Sequence, residues 1–325
     1  MSISKDPKVN CNQSILEALL KSIEVLSEEA QNHIKSFLLS QKSDGGGFVD
    51  RASQSDLYYS VFGYTLALVF DLKLDINTEK KYLESFDQQN LDFVHSVCLV
   101  RAFFLIHLID LKQKSGFKAT KFLGFSFAKN LITRKLVSKT RSDCPKVLWE
   151  LETYLSKDDG YNHNEKGAEK STVYANYLMW TLYQDLEMET ETLEEIQNAN
   201  RVLMLKNGSY ANEGNSADGV TSATAAGLIM NTYSEKSKDW LLQMRSKRGG
   251  FMAATGVPIA DLLSTSTALL ALKLDGENMQ NYAENSVNFI NLHWDQSGGF
   301  FGSIADMTCD VEYTYYALLG LGVLS

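Results

Sequence analysis

Proline, cysteine and positive charge are all scarce in this chain. Only three prolines occur in 325 residues, and valine, isoleucine and threonine nowhere sustain a period-two alternation, which argues against a β-sheet. Cys11, Cys98, Cys144 and Cys309 stand far apart with no CxxC pair, so neither a disulfide framework nor a zinc knuckle is expected and a reducing cytoplasm fits best. Lysine and arginine number 31 against 40 acidic residues, a net charge of -9, which argues against a nucleic-acid partner that neutralises phosphates along a basic face. The opening MSISKDPKVNCNQS lacks the apolar stretch of a signal peptide, and no run of about 18 apolar residues suggests a membrane span. Membrane contact, if any, is expected to be peripheral. What the chain does have is 44% hydrophobic and 11% aromatic residues, enough to bury a large core.

Self-similarity runs through the sequence. Gly46-Gly47-Phe48, Asp159-Gly160-Tyr161, Gly208-Ser209-Tyr210, Gly249-Gly250-Phe251 and Gly298-Gly299-Phe300 share a glycine followed by an aromatic. The last four aromatics are 49, 41 and 49 residues apart, the size of a two-helix repeat. An acidic residue follows each aromatic: Asp56, Glu169 and Asp218 at eight residues, Asp261 and Asp310 at ten. Each opens an apolar run, and a sixth run starts at Asp92 without the glycine turn. A carboxylate at a helix start accepts hydrogen bonds from free backbone N–H groups, so capping alone accounts for most of these acids.

The six runs are apolar nearly all round, whereas the segments 28–39, 191–205, 236–244 and 278–292 are one-faced. All-round apolar helices are buried and one-faced helices lie outside them. The expected architecture is therefore an all-α, α6/α6 toroid: six inner helices within an outer ring, in one domain spanning 1–325 with residues 1–14 flexible. Residues 114–140 add a further helix without a turn signature.

The pattern of glycine-glycine-phenylalanine, loop, aspartate and T/Y-x-x-AL-x-x-L resembles the repeat of protein prenyltransferase β subunits and squalene/terpene cyclases, from residue 41 to the end. The resemblance implies a barrel whose deep apolar cavity holds a polyisoprenoid. Protein prenyltransferases of this superfamily hold zinc with an aspartate, a cysteine two residues on and a histidine at the last inner helix. Here those positions read Asp261-Leu262-Leu263 and Asp310-Val311-Glu312-Tyr313, and leucine offers zinc no donor. Zinc is therefore not expected. The loop that carries that family's diphosphate-binding basic pair reads TGVPIA at 255–260, without charge.

Class II terpene cyclases protonate an alkene with a DxDD motif whose middle aspartate is the acid. Asp310-Val311-Glu312-Tyr313-Thr314 resembles it with two changes, placing Glu312 as the catalytic acid and Asp310 as the carboxylate that raises its pKa. Tyr58, Tyr59, Phe62, Tyr174, Tyr177, Trp180, Tyr313 and Tyr316 fall on inner helices, where π faces would stabilise a carbocation. His95, at the helix-start position taken elsewhere by Tyr59, Thr172, Thr221, Ser264 and Tyr313, is a candidate cavity group, and His163 and Lys166 are candidate diphosphate contacts. Arg245, Lys247 and Arg248 read as solvated surface.

The leading reading is a cytoplasmic terpene cyclase-like enzyme acting on a hydrophobic isoprenoid. It requires no protein partner and no definite cofactor, with Mg²⁺ entering only if the substrate is a diphosphate. The rival readings are a zinc-free prenyltransferase β-subunit-like protein and a noncatalytic carrier or scaffold for an apolar ligand. An α6/α6 glycosidase or lyase is the weakest, because it needs paired carboxylates flanking a sugar cleft.

Overall fold

The computed structural model of the chain describes residues 10–86, 90–126, 130–212, 216, 218–231 and 234–325. Six helices form a closed inner ring: α3 (Leu57–Val69), α5 (Phe93–Ser115), α9 (Val173–Asp185), α11 (Thr221–Met230), α13 (Leu262–Leu274) and α15 (Val311–Leu324). Each packs on the next, and α15 returns to α3. The outer layer includes the one-faced α2 (Glu28–Ser40), α4 (Ile76–Glu84), α10 (Thr190–Arg201), α12 (Glu235–Gln243) and α14 (Ala283–Asn291). The α6/α6 toroid expected from the sequence is the observed fold. Buried apolar residues on both faces of the inner helices hold it together.

The aromatic-to-acid spacing proves to be the register of a β-hairpin. Phe48 pairs with Asp56, Phe251 with Asp261 and Phe300 with Asp310, in three short antiparallel ribbons: β1 (Phe48–Val49) with β2 (Ser55–Asp56), β3 (Phe251–Met252) with β4 (Ala260–Asp261), and β5 (Phe300–Ser303) with β6 (Asp306–Asp310). These strands are too short for alternation to show in the sequence. Each aspartate then caps its helix, accepting the N–H of Tyr59, Ser264 or Tyr313 at 3.0, 2.7 and 2.7 Å. One turn on, a hydroxyl accepts the aromatic's own N–H: Ser60 from Phe48, Thr265 from Phe251 and Thr314 from Phe300. Hairpin and helix are thus locked together by groups whose burial would otherwise leave backbone donors unpaired. The glycine before each aromatic is forced by space as well as dihedral: at Gly298, φ is +93°, and a Cβ would lie 2.2 Å from the His33 carbonyl oxygen of α2.

Two of the expected acids do not play this part. Glu169 pairs with Lys157 at the surface, and Thr172 caps α9; Val220 precedes α11 and no side chain caps that helix, so Asp218 is not a cap. Register is set by pairing with the aromatic, through Thr172 N–H to Tyr161 O and Val220 N–H to Tyr210 O, and an acid near the right place is not enough. The equivalents of His95 are accordingly Tyr59, Ala175, Ala223, Ser264 and Tyr313, displacing Thr172 and Thr221 from that set.

Of the residues 1–14 expected to be flexible, 1–9 lie outside the described residues and 11–14 form the first turn of a helix. Asn10 caps α1 (Cys11–Val25), and Cys11 is fully buried with its N–H on Gln184 Oε1. This helix packs on α15, α9 and α3 and crosses the far end of the ring. Over 114–140, Gly116 at φ +69° ends α5 after Ser115, and helix follows as α6 (Ala119–Ser126) and α7 (Asn130–Asp143), with 127–129 outside the described residues. By length and hydropathy α5 would suffice to cross a membrane, contrary to the sequence expectation, but it is mostly buried as a core helix of the ring.

Candidate functional site

Counting from the capping position (Asp56, Asp92, Thr172, Val220, Asp261, Asp310) reduces the interior to three rings. The second residue on each inner helix is Tyr58, Val94, Tyr174, Ser222, Leu263 or Glu312, and the first five line a cavity of about 510 Å³. Three to four residues deeper come Phe62, Cys98, Tyr177, Ala226, Thr267 and Tyr316, with Tyr315 beside the last. The next turn supplies Thr65, Arg101, Thr181, Ile229, Leu270 and Leu319. The spacing of i, i+3/i+4 and i+7 is one face of a helix, and its seven residues descend about 10 Å. Asn12, Ile15 and Leu16 of α1 contribute to the lining from the far end. The small Ala225 and Ala226 widen the cavity on the α11 side, while Gly227 faces away and admits the Tyr210 ring.

Glu312 is the sixth member of the uppermost ring. Its Oε1 accepts a 2.7 Å hydrogen bond from the hydroxyl of Tyr58, a cavity-lining side chain. Burial pushes the Glu312 carboxyl up to about 7; the charge of Asp310 adds to the shift, against the Tyr58 hydrogen bond and Arg51. Tyr58 itself is driven by burial well above the tyrosine range and stays a neutral donor. Asp310 is 1% exposed; Oδ1 caps Tyr313 and Oδ2 takes Arg51 Nε at 2.8 Å. Burial raises its pKa, and the Tyr313 N–H and Arg51 oppose that rise. Arg51 also reaches Asp306 at 2.6 Å and lies 5.2 Å from the centre of the Tyr313 ring.

Of the residues selected from sequence, Tyr58, Phe62, His163, Tyr174, Tyr177 and Tyr316 line the cavity. The ring of His163 holds Thr172 Oγ1 at 2.8 Å and meets Tyr174 edge to face. The other five substrate-binding candidates are not brought into the lining, and neither are Asp310 and Glu312, although Glu312 meets the wall through its hydrogen bond with Tyr58. Tyr59 and His95 lie one residue past the ring position, and His95 bridges the caps Asp56 and Asp92 at 3.6 and 2.9 Å. Tyr313 lies at the same offset and packs beside Arg51. Trp180 is buried in the core away from the cavity, and Lys166 pairs with Glu150 over the Tyr154 ring. Sequence reading missed Tyr315, Arg101, Thr181 and Asp185. Counting from the caps would have found the first three: Tyr315 shares the offset of Tyr177, and Arg101 and Thr181 stand one turn further along the same face.

With this geometry in view, comparison with known proteins places the chain. The family model of the prenyltransferase alpha-alpha toroid domain matches residues 14–106 and 219–325, and the chain belongs to that family. Similar solved structures include the type II terpene cyclase MstE from Scytonema (12% identity, TM-score 0.51, 91% of this chain and 96% of that one). A variant of that cyclase in complex with geranylgeranyl dihydroxybenzoate matches at 11% identity and TM-score 0.51, covering 94% of this chain and 97% of that one. Candida albicans protein geranylgeranyltransferase-I complexed with GGPP matches at 13% identity and TM-score 0.54, covering 96% and 90%. At such identities the likeness is one of fold. No curated protein matches the sequence.

The zinc used by protein prenyltransferases does not fit the residues present here. Leu263 lines the cavity where a thiolate would be needed, both carboxylate oxygens of Asp261 are engaged by Ser264, and Tyr313 packs beside Arg51.

Proposed function

We propose that the protein is a terpene cyclase-like enzyme that takes an isoprenoid into the ring and starts cyclisation by protonating an alkene from Glu312. The observation that carries this reading is the position of Glu312: it is the one acid among six equivalent ring residues, and its pKa near 7 keeps a large share of it protonated at neutral pH. Tyr58 occupies Oε1, leaving Oε2 to bear the transferable proton. Burial keeps that proton on, with the charge of Asp310 adding to the effect and Arg51, which pairs with Asp310, opposing it.

A carboxylic acid of pKa 7 is weak, and an alkene is a far weaker base. The barrier therefore falls only if the cation is stabilised as it forms. Tyr58, Phe62, Tyr174, Tyr177, Tyr315 and Tyr316 supply aromatic rings to the upper half of the cavity for that purpose. The remaining lining is largely aliphatic and excludes water that would quench the cation. Structural neighbours crystallised with GGPP and with geranylgeranyl dihydroxybenzoate support an isoprenoid as the ligand class. A second reading, a noncatalytic isoprenoid carrier, draws on Tyr313 standing where the cyclase motif has its last carboxylate.

The test is incubation of the protein, with and without Mg²⁺, with geranyl, farnesyl and geranylgeranyl diphosphate and with squalene, followed by mass spectrometry beside Glu312→Gln. A cyclised product from the wild type that is missing from the variant is expected. Substrate recovered unchanged from both would overturn the cyclase reading for these substrates and favour the carrier.

A further inference from the structure

The deeper half of the cavity holds a charged pair that the proton transfer does not use. Arg101, in the third ring, reaches across to Asp185 at the last residue of α9, and both line the cavity. The pair is stretched: Arg101 Nε stands 3.6 Å from Asp185 Oδ2 and is buried without a hydrogen-bond partner, although Nη2 donates to Thr181 Oγ1 at 2.8 Å. A buried guanidinium donor left unmade is costly, and two charges removed from water are compensated only when their hydrogen bonds are complete. Something with both a lone pair and a proton would complete the arrangement.

We propose that Arg101 and Asp185 form a hydroxyl-recognition subsite, which selects isoprenoids bearing an alcohol at the end that enters the cavity first. The inference rests on the isoprenoid reading above and names the polar function of that ligand. A hydroxyl accepts from Arg101 and donates to Asp185, which neither a hydrocarbon nor an ether can do. An anionic head group would meet the Asp185 carboxylate and find one arginine, already partly committed to Thr181, where phosphate recognition calls for several donors. Burial pushes Asp185 up to about 6, with Arg101 and a hydrogen bond from the Asn12 side chain opposing, so at neutral pH the carboxylate remains mainly an acceptor. Asn12 of α1, whose side chain donates to Thr181 O at 2.8 Å, fixes α1 against this level of the ring.

The test compares farnesol, its methyl ether and the C15 hydrocarbon of the same skeleton as competitors of a dansyl-labelled isoprenoid on the full-length protein. The alcohol should displace the probe at a concentration about 10- to 100-fold lower than the hydrocarbon, the range of a hydrogen bond to a charged group. The double change Arg101→Met with Asp185→Leu removes both charges together and should level the series while hydrocarbon binding is kept. Asp185→Asn, isosteric and less disruptive, should reduce the alcohol's advantage on its own. Equal displacement by all three ligands overturns the subsite and leaves the isoprenoid reading standing, as does an alcohol preference unchanged in a folded variant. Failure of every ligand to displace the probe overturns the isoprenoid reading and the subsite with it.

Discussion

The second hairpin with α13 and the last hairpin with α15 are the same device built twice. In both, an aromatic pairs with an aspartate, the aspartate caps the helix through the N–H three residues on, and a threonine one turn into the helix takes the aromatic's N–H. They part company at the ring position, which is Leu263 in one and Glu312 in the other, and at the cap, where Asp261 is engaged by Ser264 and Asp310 by Arg51. The common parts explain why acids recur in this chain, and they explain it as scaffold. Only what the last repeat adds, a second carboxylate facing a tyrosine and a guanidinium on the first, calls for a chemical reason.

The largest effect should come from erasing that difference. Glu312→Leu copies the α13 repeat into the last and should abolish product formation while leaving displacement of an isoprenoid probe intact. It should also change stability in a pH-dependent way. A carboxyl whose pKa rises from 4.5 to about 7 on folding binds its proton more tightly in the native state, so the wild type loses stability as pH climbs through that window. The loss approaches about 3 kcal/mol above pH 7. The variant should therefore melt several degrees higher than wild type at pH 8, an advantage that vanishes near pH 4; equal melting curves at both pH values would mean that Glu312 is solvated.

Arg51 and Asp310 sharpen the comparison in opposite senses. Product formation that requires protonated Glu312 should decline as pH rises through about 7. Arg51→Met removes a positive charge that favours the ionised acid, so that decline should move to higher pH; Asp310→Asn keeps the cap, removes the negative charge and should move it lower. Pure scaffolding changes would shift neither. In thermal melts, Asp261→Ala should cost about 1 kcal/mol, the value of a cap. Asp310→Ala should cost about 2 to 3 kcal/mol because it also strips Arg51 of its buried partner.

Much of this was legible in the sequence, for a physical reason. Glycine-aromatic turns and all-round apolar helices are dictated locally, so the ring could be counted before its structure was seen. Glu312 is legible through the resemblance of Asp310-Val311-Glu312-Tyr313-Thr314 to the cyclase motif. Which aromatics face inward was only half legible: Tyr177 and Trp180 lie on the same apolar helix, and only the register fixed by the hairpins separates the cavity wall from the core. That register depends on hydrogen bonds between Tyr161 and Thr172 or Tyr210 and Val220, which no acidic residue advertises; hence Glu169 and Asp218 misled. The Arg101–Asp185 pair joins residues 84 apart on neighbouring helices. Nothing in either local sequence points to the other.

The smallest expected effect belongs to a third version of the cap. His95 bridges Asp56 and Asp92 between α3 and α5, and those carboxylates, Asp56 foremost, raise its pKa to about 9 against the cost of burial. A histidine whose folded pKa lies above its unfolded 6.5 stabilises the native state in full below pH 6.5, and that contribution is lost as pH rises through 9. The side chain is 38% exposed, so solvent screening keeps the contribution under about 1 kcal/mol. His95→Gln should lower the melting temperature slightly at pH 6 and leave it unchanged at pH 10, with the pH profile of product formation unmoved because His95 lies outside the cavity. A displaced profile would instead place His95 in the proton path and dissolve the distinction between scaffold caps and the acid proposed at Glu312.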